Sequence, residues 1–251
     1  MMFEATTIYA FWENRREGFE ATARRMAVML RNLAPIHPAF RTWQWDDPVS
    51  KQLVPYGGEP PTIDGLVEIF KADRANSELD RDKIPGAGFS TRAWNGGNGR
   101  TATSFRCSLE NIEDPRIFPN LTTFTLPSRR VGDSTLICAE TLTQIISVVA
   151  SAWDAVWAST YPKDIWEAME IPPGPLRTGW ITYLSAPLAR RFVAPPGCRV
   201  EPGPADGLIV WATDAVFDPE NPEHLAIARE IQAALDLIQP PNPNTSNFMR
   251  N

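Results

Sequence analysis

Three stretches of the chain carry apolar residues at helical spacing, and strand-like segments cluster between them. The first stretch runs from about Glu17 to Leu33, the second covers "AETLTQIISVVASAWD", and the third covers "DPENPEHLAIAREIQAAL". A shorter helix is predicted from Thr62, whose hydroxyl can accept a hydrogen bond from a free amide at the helix start. Each apolar stripe needs a surface against which to bury itself, and strands between the helices would supply one.

Segments rich in β-branched and aromatic residues supply the predicted strands. They are "TTIYAFWENR", "FSTRAW", "RTATSFRCSL", "LTTFTLP", "AVWAST", "GWITYLS" and "LIVWATD". "VPYGGEPP", "ADRANSELDRDK" and "VAPPGCRVEPGPADG" are predicted to be connections. Strands grouped between helices predict an α+β fold with mainly antiparallel sheet packed by about three to four helices. We expect one compact domain over residues 1–238, with a possible seam near residues 128–135 and a mobile polar tail at 239–251.

The stretch "AWNGGNGRTATSFRC" contains three closely spaced glycines, Gly96, Gly97 and Gly99. A phosphate-binding loop needs a helix N-terminus directly after its glycines, because the free amides there hold the phosphate. Here an alternating pattern follows, which is typical of a strand. The sequence therefore favours a β-hairpin over a phosphate site, with glycine used where the connection requires positive φ.

The net charge of −6 and the pI near 5.1 argue against a nucleic-acid-binding protein, which would carry a basic stripe. An acidic balance suits a basic protein partner, and it equally suits a chain that only has to stay soluble. No apolar run approaches the ~18 residues that span a bilayer, and the N-terminus lacks the order of a secretory signal. We expect a cytoplasmic protein without membrane contact, in which Cys107, Cys138 and Cys198 are reduced and buried.

No catalytic, metal-binding or cofactor-binding motif is present in the sequence, so no catalytic residue, metal or cofactor is predicted. "FDPENPEH" groups acidic residues with His224, but it does not match a calcium-binding loop. Its residues fit a helix start better, with Asn221 as N-cap and Pro222 at the first helical position. A weak enzyme candidate remains in His224 with Glu223 and Asp218. His37 is predicted to be an exposed or capping residue.

The stretch "WQWDD" places two tryptophans, Trp43 and Trp45, directly before Asp46 and Asp47. In an extended segment both rings point the same way. Aromatic anchors beside carboxylates are typical of a protein-binding surface, so these four residues are the candidate partner-binding residues. The alternative is that both rings fill the core beneath a loop.

Several of these segments together resemble one known family. They are "YAFWENRREGFEATARRMAVMLRNLA", "HPAFRTWQW", "GFSTRAWNGG", "SFRCSL", "SAWDAVWAS", "GWITYLS" and "GLIVWATDAVFDPENPEHLAIAREIQAAL". In this order, over nearly the whole chain, they resemble the immunity protein 52 family of bacterial polymorphic toxin systems. In that family the Trp-Asn-Gly step, here Trp94, Asn95 and Gly96, looks structural.

The resemblance implies a small cytoplasmic antidote that binds the C-terminal domain of a cognate secreted toxin stoichiometrically. It further implies a toxin of the restriction-endonuclease-like nuclease class, often delivered by contact-dependent or type VI secretion. It gives no catalytic residues to carry over and no oligomeric state. Two other classes stay open on the residues alone: a small cytosolic hydrolase without a recognisable motif, and an adaptor subunit of a larger complex.

Overall fold

A computed structural model describes residues 5–46, 53–56, 61–80, 88–111, 119–162, 165–170 and 176–239 of the chain. The strands in this part are β1 (Thr6–Trp12), β2 (Trp43–Asp46), β3 (Leu53–Tyr56), β4 (Phe89–Trp94), β5 (Ser104–Leu109), β6 (Asn120–Leu126), β7 (Trp157–Pro162), β8 (Ile181–Leu184), β9 (Arg199–Pro202) and β10 (Leu208–Trp211). The helices are α1 (Phe19–Leu33), α2 (Ile63–Asp80), α3 (Ala139–Trp153), α4 (Ile165–Ala168), α5 (Ala186–Ala189) and α6 (Pro222–Asp236).

All ten strands belong to one sheet, in the order β3-β2-β4-β5-β6-β1-β7-β8-β10-β9. Every pairing in it is antiparallel. The first strand of the sequence lies near the middle of the sheet, because β1 pairs with β6 on one side and with β7 on the other. The fold is therefore α+β with a large antiparallel sheet, as the sequence predicted.

Three long helices cover one face of the sheet. Helix α1 packs between α2 and α3, while α2 contacts β4 and α3 contacts β1, β7 and β8. Strand β1 shows why this face is buried: Ile8 and Ala10 are fully buried, whereas Tyr9 and Phe11 between them are only partly buried. Alternation of this kind follows from the two-residue period of a strand, and it marks a sheet covered on one side.

Strands β7 and β8 are covered on both sides. All four residues of β8 are buried, so that strand has no solvent-facing side. On α6, Ile231 and Leu235 are buried, and Gln232 accepts from the Thr178 amide at 2.8 Å and donates to the Leu176 carbonyl at 3.2 Å. Strands β4, β5 and β6 instead alternate between buried and accessible residues. Strands β4, β5 and β6 thus have a solvent-facing side that β7 and β8 lack.

Helix α1 takes its N-terminal cap from the end of β5. Gly18 occupies the N-cap position and has no side chain to accept from the free amides. The carboxylate of Glu110 accepts from the Glu17 and Gly18 amides at 3.1 Å each and from the Thr22 hydroxyl at 2.5 Å. Glu110 is only 6% exposed, so this carboxylate joins the helix to the sheet inside the protein.

The four long helices and most strands lie where the sequence predicts them, but the short helices α4 and α5 were not among the three to four helices expected. Thr62 accepts from the Gly65 amide at 3.1 Å, so the capping role expected for Thr62 is confirmed. Other segments differ as well, and β2 is a further strand that was not predicted. Part of "VPYGGEPP" forms β3, where Pro55 is tolerated because β3 lies at the edge of the sheet. The segment "ADRANSELD" continues α2 to Asp80, and β9 was not predicted.

The three cysteines are free thiols, but only Cys107 is buried. Burial raises the pKa of the Cys107 thiol to about 12, which makes it a poor nucleophile. Cys138 and Cys198 are half-buried, so the expectation that all three are buried is wrong for these two.

Among the helices that the structure describes, none is long and apolar enough to cross a membrane. The predicted tail at 239–251 lies outside the described residues from 240 onward.

Candidate functional site

The two tryptophans of "WQWDD" lie in the core. Trp43 and Trp45 are each 2% exposed, on the face of β2 that is turned towards the helices. The Trp43 indole donates to the Phe40 carbonyl at 3.1 Å, and the Trp45 indole donates to the Thr91 hydroxyl at 3.2 Å. The ring of Trp43 meets that of Phe105 with centroids 4.8 Å apart.

This burial does not allow Trp43 and Trp45 to act as surface anchors, so the core interpretation is the correct one for both rings. Asp46 ends β2, at a strand position that alternates with the buried tryptophans. Asp47 lies outside the described residues. A partner-binding role for Asp46 and Asp47 stays a prediction.

The Trp-Asn-Gly step begins the connection between β4 and β5, which pair as an antiparallel hairpin. The prediction that the glycines separate two strands is confirmed. Asn95 is 8% exposed, and its side chain organises the loop. Its amide nitrogen donates to the Ala39 and Thr101 carbonyls at 3.0 and 2.7 Å, and its oxygen accepts from the Gly97 and Thr103 amides at 2.9 Å each. These contacts are what a structural motif requires.

Replacing Gly97 with valine should lower the free energy of unfolding by about 2 kcal/mol. A Cβ at position 97 would lie 2.8 Å from the Thr101 carbonyl oxygen and 2.9 Å from the Asn95 side-chain oxygen. Gly99 is the matched control, because a Cβ there meets nothing within 4 Å. Urea denaturation of the two valine variants checks this. Equal stability of the Gly97 and Gly99 variants would contradict the close approach in the loop.

Two residues of the weak enzyme candidate, His224 and Asp218, make structural contacts before and at the start of α6. The Nδ1 atom of His224 accepts from the Asp218 amide at 3.0 Å, and the Asp218 carboxylate binds Arg129 at 2.7 Å. Asn221 accepts from the Glu223 amide at 2.9 Å, so its role as N-cap of α6 is confirmed. The three candidate groups therefore do not point together at a common reacting position.

His37 also has a capping role. Its Nδ1 accepts from the Ala39 amide at 3.1 Å, and its Nε2 lies 3.2 Å from the Thr135 hydroxyl. Since Nδ1 accepts, Nε2 carries the proton of the neutral ring and donates to Thr135. Burial lowers the pKa of His37 below its ordinary value of 6.5, and the Asp133 carboxylate only partly offsets this effect.

Stability should therefore fall as the pH is lowered from 7.5 to 5.5. The unfolded chain binds a proton at His37 below about pH 6.5, while the folded chain resists it, so the contribution of His37 is complete above 6.5 and is lost below it. Replacing His37 with Asn keeps an acceptor for the Ala39 amide and removes the titration. The melting temperature of this variant should vary less over that pH range. If the melting temperature of this variant varied with pH as much as that of wild type, His37 would not be the group responsible.

One side of β4, β5 and β6 carries accessible and mostly polar residues. We call this surface the open face. Its members are Ser90, Arg92 and Trp94 of β4, Ser104, Arg106 and Ser108 of β5, and Leu121, Thr123 and Thr125 of β6. None of the nine is buried. A shallow depression of 590 Å³ is lined by Arg92, Trp94, Ser104, Arg106, Thr123 and Thr125, together with Ala93 and Phe105.

Two arginines lie side by side on the open face. Arg92 and Arg106 are directly opposite each other on β4 and β5, and both are exposed. Like charges in this arrangement destabilise a sheet by up to about 1 kcal/mol. Thr123 follows on β6 opposite Arg106, and Tyr9 of β1 lies opposite Thr123. The row thus places two guanidinium groups beside a threonine and a tyrosine hydroxyl.

A third arginine lies near the end of this row. Burial raises the pKa of Tyr9 and of Tyr161, and the positive charge of Arg177 opposes the rise at both residues. Burial also lowers the pKa of Arg177 itself.

The open face offers donors and positive charge but no arrangement for covalent chemistry. Within the described residues no three histidine, cysteine or acidic side chains are grouped to hold a metal ion. The sequence carried a signal for this surface, because alternation in "FSTRAW" and "RTATSFRCSL" puts Arg92 and Arg106 on the polar side of two paired strands. The sequence analysis instead chose Trp43 and Trp45, which lie on the buried side of the sheet.

The architecture is similar to that of a known secretion-system protein. A solved structure described as Pseudomonas aeruginosa T6SS protein PA0821 superposes with a TM-score of 0.51 at 11% sequence identity, over 94% of this chain and 73% of that chain. This similarity defines the class of fold. Among curated proteins, none matches the chain.

A family assignment comes from the sequence itself. The family model described as Immunity protein 52 matches residues 5–240, nearly the whole chain. The chain belongs to the Immunity protein 52 family. The resemblance carried by the Trp-Asn-Gly step and the surrounding segments is thereby confirmed.

Proposed function

We propose that this chain protects the cell that makes it by forming a tight one-to-one complex with the C-terminal domain of a cognate secreted toxin. The observation that carries the proposal is the family match over residues 5–240. The candidate site supports it, since the open face offers binding groups and the His224 cluster is occupied in capping. The complex would bury about 800 Å² on each partner, the usual size of a specific interface.

We further propose a cytoplasmic location and a nuclease target of the restriction-endonuclease-like class. A nuclease holds phosphates in a basic groove, and an inhibitor with a net charge of −6 is drawn towards such a protein during encounter. Asp46 and Asp47 would contribute to that attraction. Residues 1–238 would act as one domain, because the sheet runs without interruption across the seam considered at 128–135.

The proposal is tested by titrating the purified toxin domain with this protein and following its nuclease activity. Inhibition should rise linearly and reach a plateau near equimolar ratio. Association measured at low and at high salt should slow as salt screens the net charges. Complete inhibition by a small fraction of an equivalent would overturn the binding mechanism in favour of an enzyme.

The variant His224→Ala distinguishes an enzyme from a protein that acts by binding alone. His224→Ala removes the only imidazole near the acidic residues of "FDPENPEH". The variant should still protect cells against the toxin, provided that it is folded by circular dichroism. Loss of protection by a folded His224→Ala protein would show that His224 itself takes part, either in catalysis or in a direct contact with the toxin.

A further inference from the structure

We propose that β9 (Arg199–Pro202) pairs with β9 of a second copy of this chain, so that one sheet continues across a symmetric dimer. This contact goes beyond the proposed function and can be measured without the toxin. Strand β9 lies at the end of the sheet and pairs with β10 alone among the described strands. Its outer side is therefore an edge that another strand can join.

The outer side of β9 carries the backbone groups of Val200. In an antiparallel pair, residues that exchange hydrogen bonds alternate with residues that do not. The Gly203 amide donates to the Gly207 carbonyl at 2.8 Å, one position beyond the paired residues of β9 and β10. By this alternation Glu201 and Arg199 also bond towards β10, while the N–H and C=O of Val200 point away from it. Val200 is exposed, so both groups are open to a partner strand.

The side chains of β9 fit a second copy in one register. A two-fold axis through Val200 places Arg199 opposite the partner's Glu201, and Glu201 opposite the partner's Arg199. An axis through Arg199 or through Glu201 would instead place two like charges opposite each other, which destabilises a sheet. The two Val200 side chains, each 43% exposed in the single chain, come together on the other side of the strand.

The charged side chains of β9 are already held beside the edge. The guanidinium carbon of Arg199 lies 3.9 Å from the centroid of the Trp211 ring, and Arg199 pairs with Glu201 and Asp214 at 3.1 Å each. Exposed ion pairs of this kind contribute little to stability, so they can be shared with a partner strand at small cost. Proline commonly protects an edge strand from pairing, but Pro202 is the last residue of β9 and leaves the Val200 amide free.

The dimer should form reversibly as the concentration rises. Strand β9 is four residues long, so the contact is smaller than a standard interface and its affinity is modest. Sedimentation equilibrium of the full chain from about 5 to 500 μM should show the mean mass rising from 28.0 kDa towards twice that value. A mass that stays at 28.0 kDa over this range would overturn the proposal.

Charge reversal tests the register. Arg199→Glu and Glu201→Arg each put like charges opposite each other across the two-fold axis, so each variant alone should dimerise at least about tenfold more weakly. A mixture of the two variants restores opposite charges at both positions and should form mixed dimers with the affinity of wild type. Mixed dimers no tighter than those of each variant alone would overturn the proposal. Arg31→Glu, an equal charge change at an exposed position of α1, is the matched control and should dimerise like wild type.

Val200→Pro covers the case in which charge reversal disturbs the ion pairs within one chain. Proline removes the outward N–H and leaves the bonds to β10, which the neighbouring residues make. The variant should remain folded by circular dichroism and lose the dimer. A dimer that persists in folded Val200→Pro would overturn β9 as the contact. Loss of toxin binding in a variant whose dimer persists would assign the edge to a strand of the toxin instead.

Discussion

Replacing Trp43 with alanine should lower the free energy of unfolding by about 3–5 kcal/mol. The ring is 2% exposed and is surrounded by Phe40, Phe105 and Phe124, with centroid distances of 6.2, 4.8 and 6.4 Å. Removing it leaves a cavity that these rings cannot fill and an orphaned acceptor at the Phe40 carbonyl. Urea denaturation measures the change, with Trp43→Phe as a milder second variant that remains folded.

Trp94 supplies the matched control for that experiment. It is half-buried on the open face of β4, so Trp94→Ala should cost about 1 kcal/mol or less. The two alanine variants thus separate a tryptophan that fills the core from one that lies on the accessible side of the sheet. A Trp43→Ala protein as stable as Trp94→Ala would contradict the placement of Trp43.

Replacing Glu110 with alanine should lower the free energy of unfolding by about 3 kcal/mol. The carboxylate is the acceptor for the Glu17 and Gly18 amides and for the Thr22 hydroxyl, and its negative charge lies at the positive end of the α1 dipole. Without it the buried Thr22 hydroxyl and the two part-buried amides lose this acceptor. Glu110→Gln keeps an acceptor oxygen and loses the charge, so its loss should be about half as large.

Glu20 is the control for the dipole contribution of Glu110. It is an exposed acidic residue in the first turn of the same helix, where it pairs with Arg24. Glu20→Ala should cost less than about 1 kcal/mol. Chemical denaturation of the three variants should give the order Glu110→Ala, Glu110→Gln, Glu20→Ala in decreasing loss. A Glu110→Ala variant as stable as Glu20→Ala would show that the cap does not contribute.

The local elements of this fold were largely predictable, because they depend on patterns of a few residues. The stripes of α1, α3 and α6 and the alternation of β5 lie where periodicity placed them. Their contacts across the chain were not predictable in the same way. The Glu110 cap joins residues far apart in sequence, and no local pattern indicates that a glutamate at the end of a strand serves a helix start. The position of β1 between β6 and β7 is likewise a tertiary property.

The candidate site shows the same division. Alternation predicts that Trp43 and Trp45 share one side of a strand, but it does not say which side faces the helices. That choice depends on α2 packing over β4, the neighbour of β2, and on the aromatic contacts of both tryptophans with Phe105. Once that side is buried, the polar residues of the same strands must face away. Arg92 and Arg106 could have been paired from the hairpin, had its register been known.

The central position of β1 has a consequence for synthesis on the ribosome. The strand emerges first, but β6, which ends at Leu126, and β7, which ends at Pro162, emerge much later. At about 5–20 residues per second, β1 waits roughly 5–25 s before β6 is available. During that time both edges of β1 and its apolar side, with Ile8 and Trp12, are exposed to other nascent chains. Strand β1 thus has no partner strand in the sheet until about half of the 251 residues have been made.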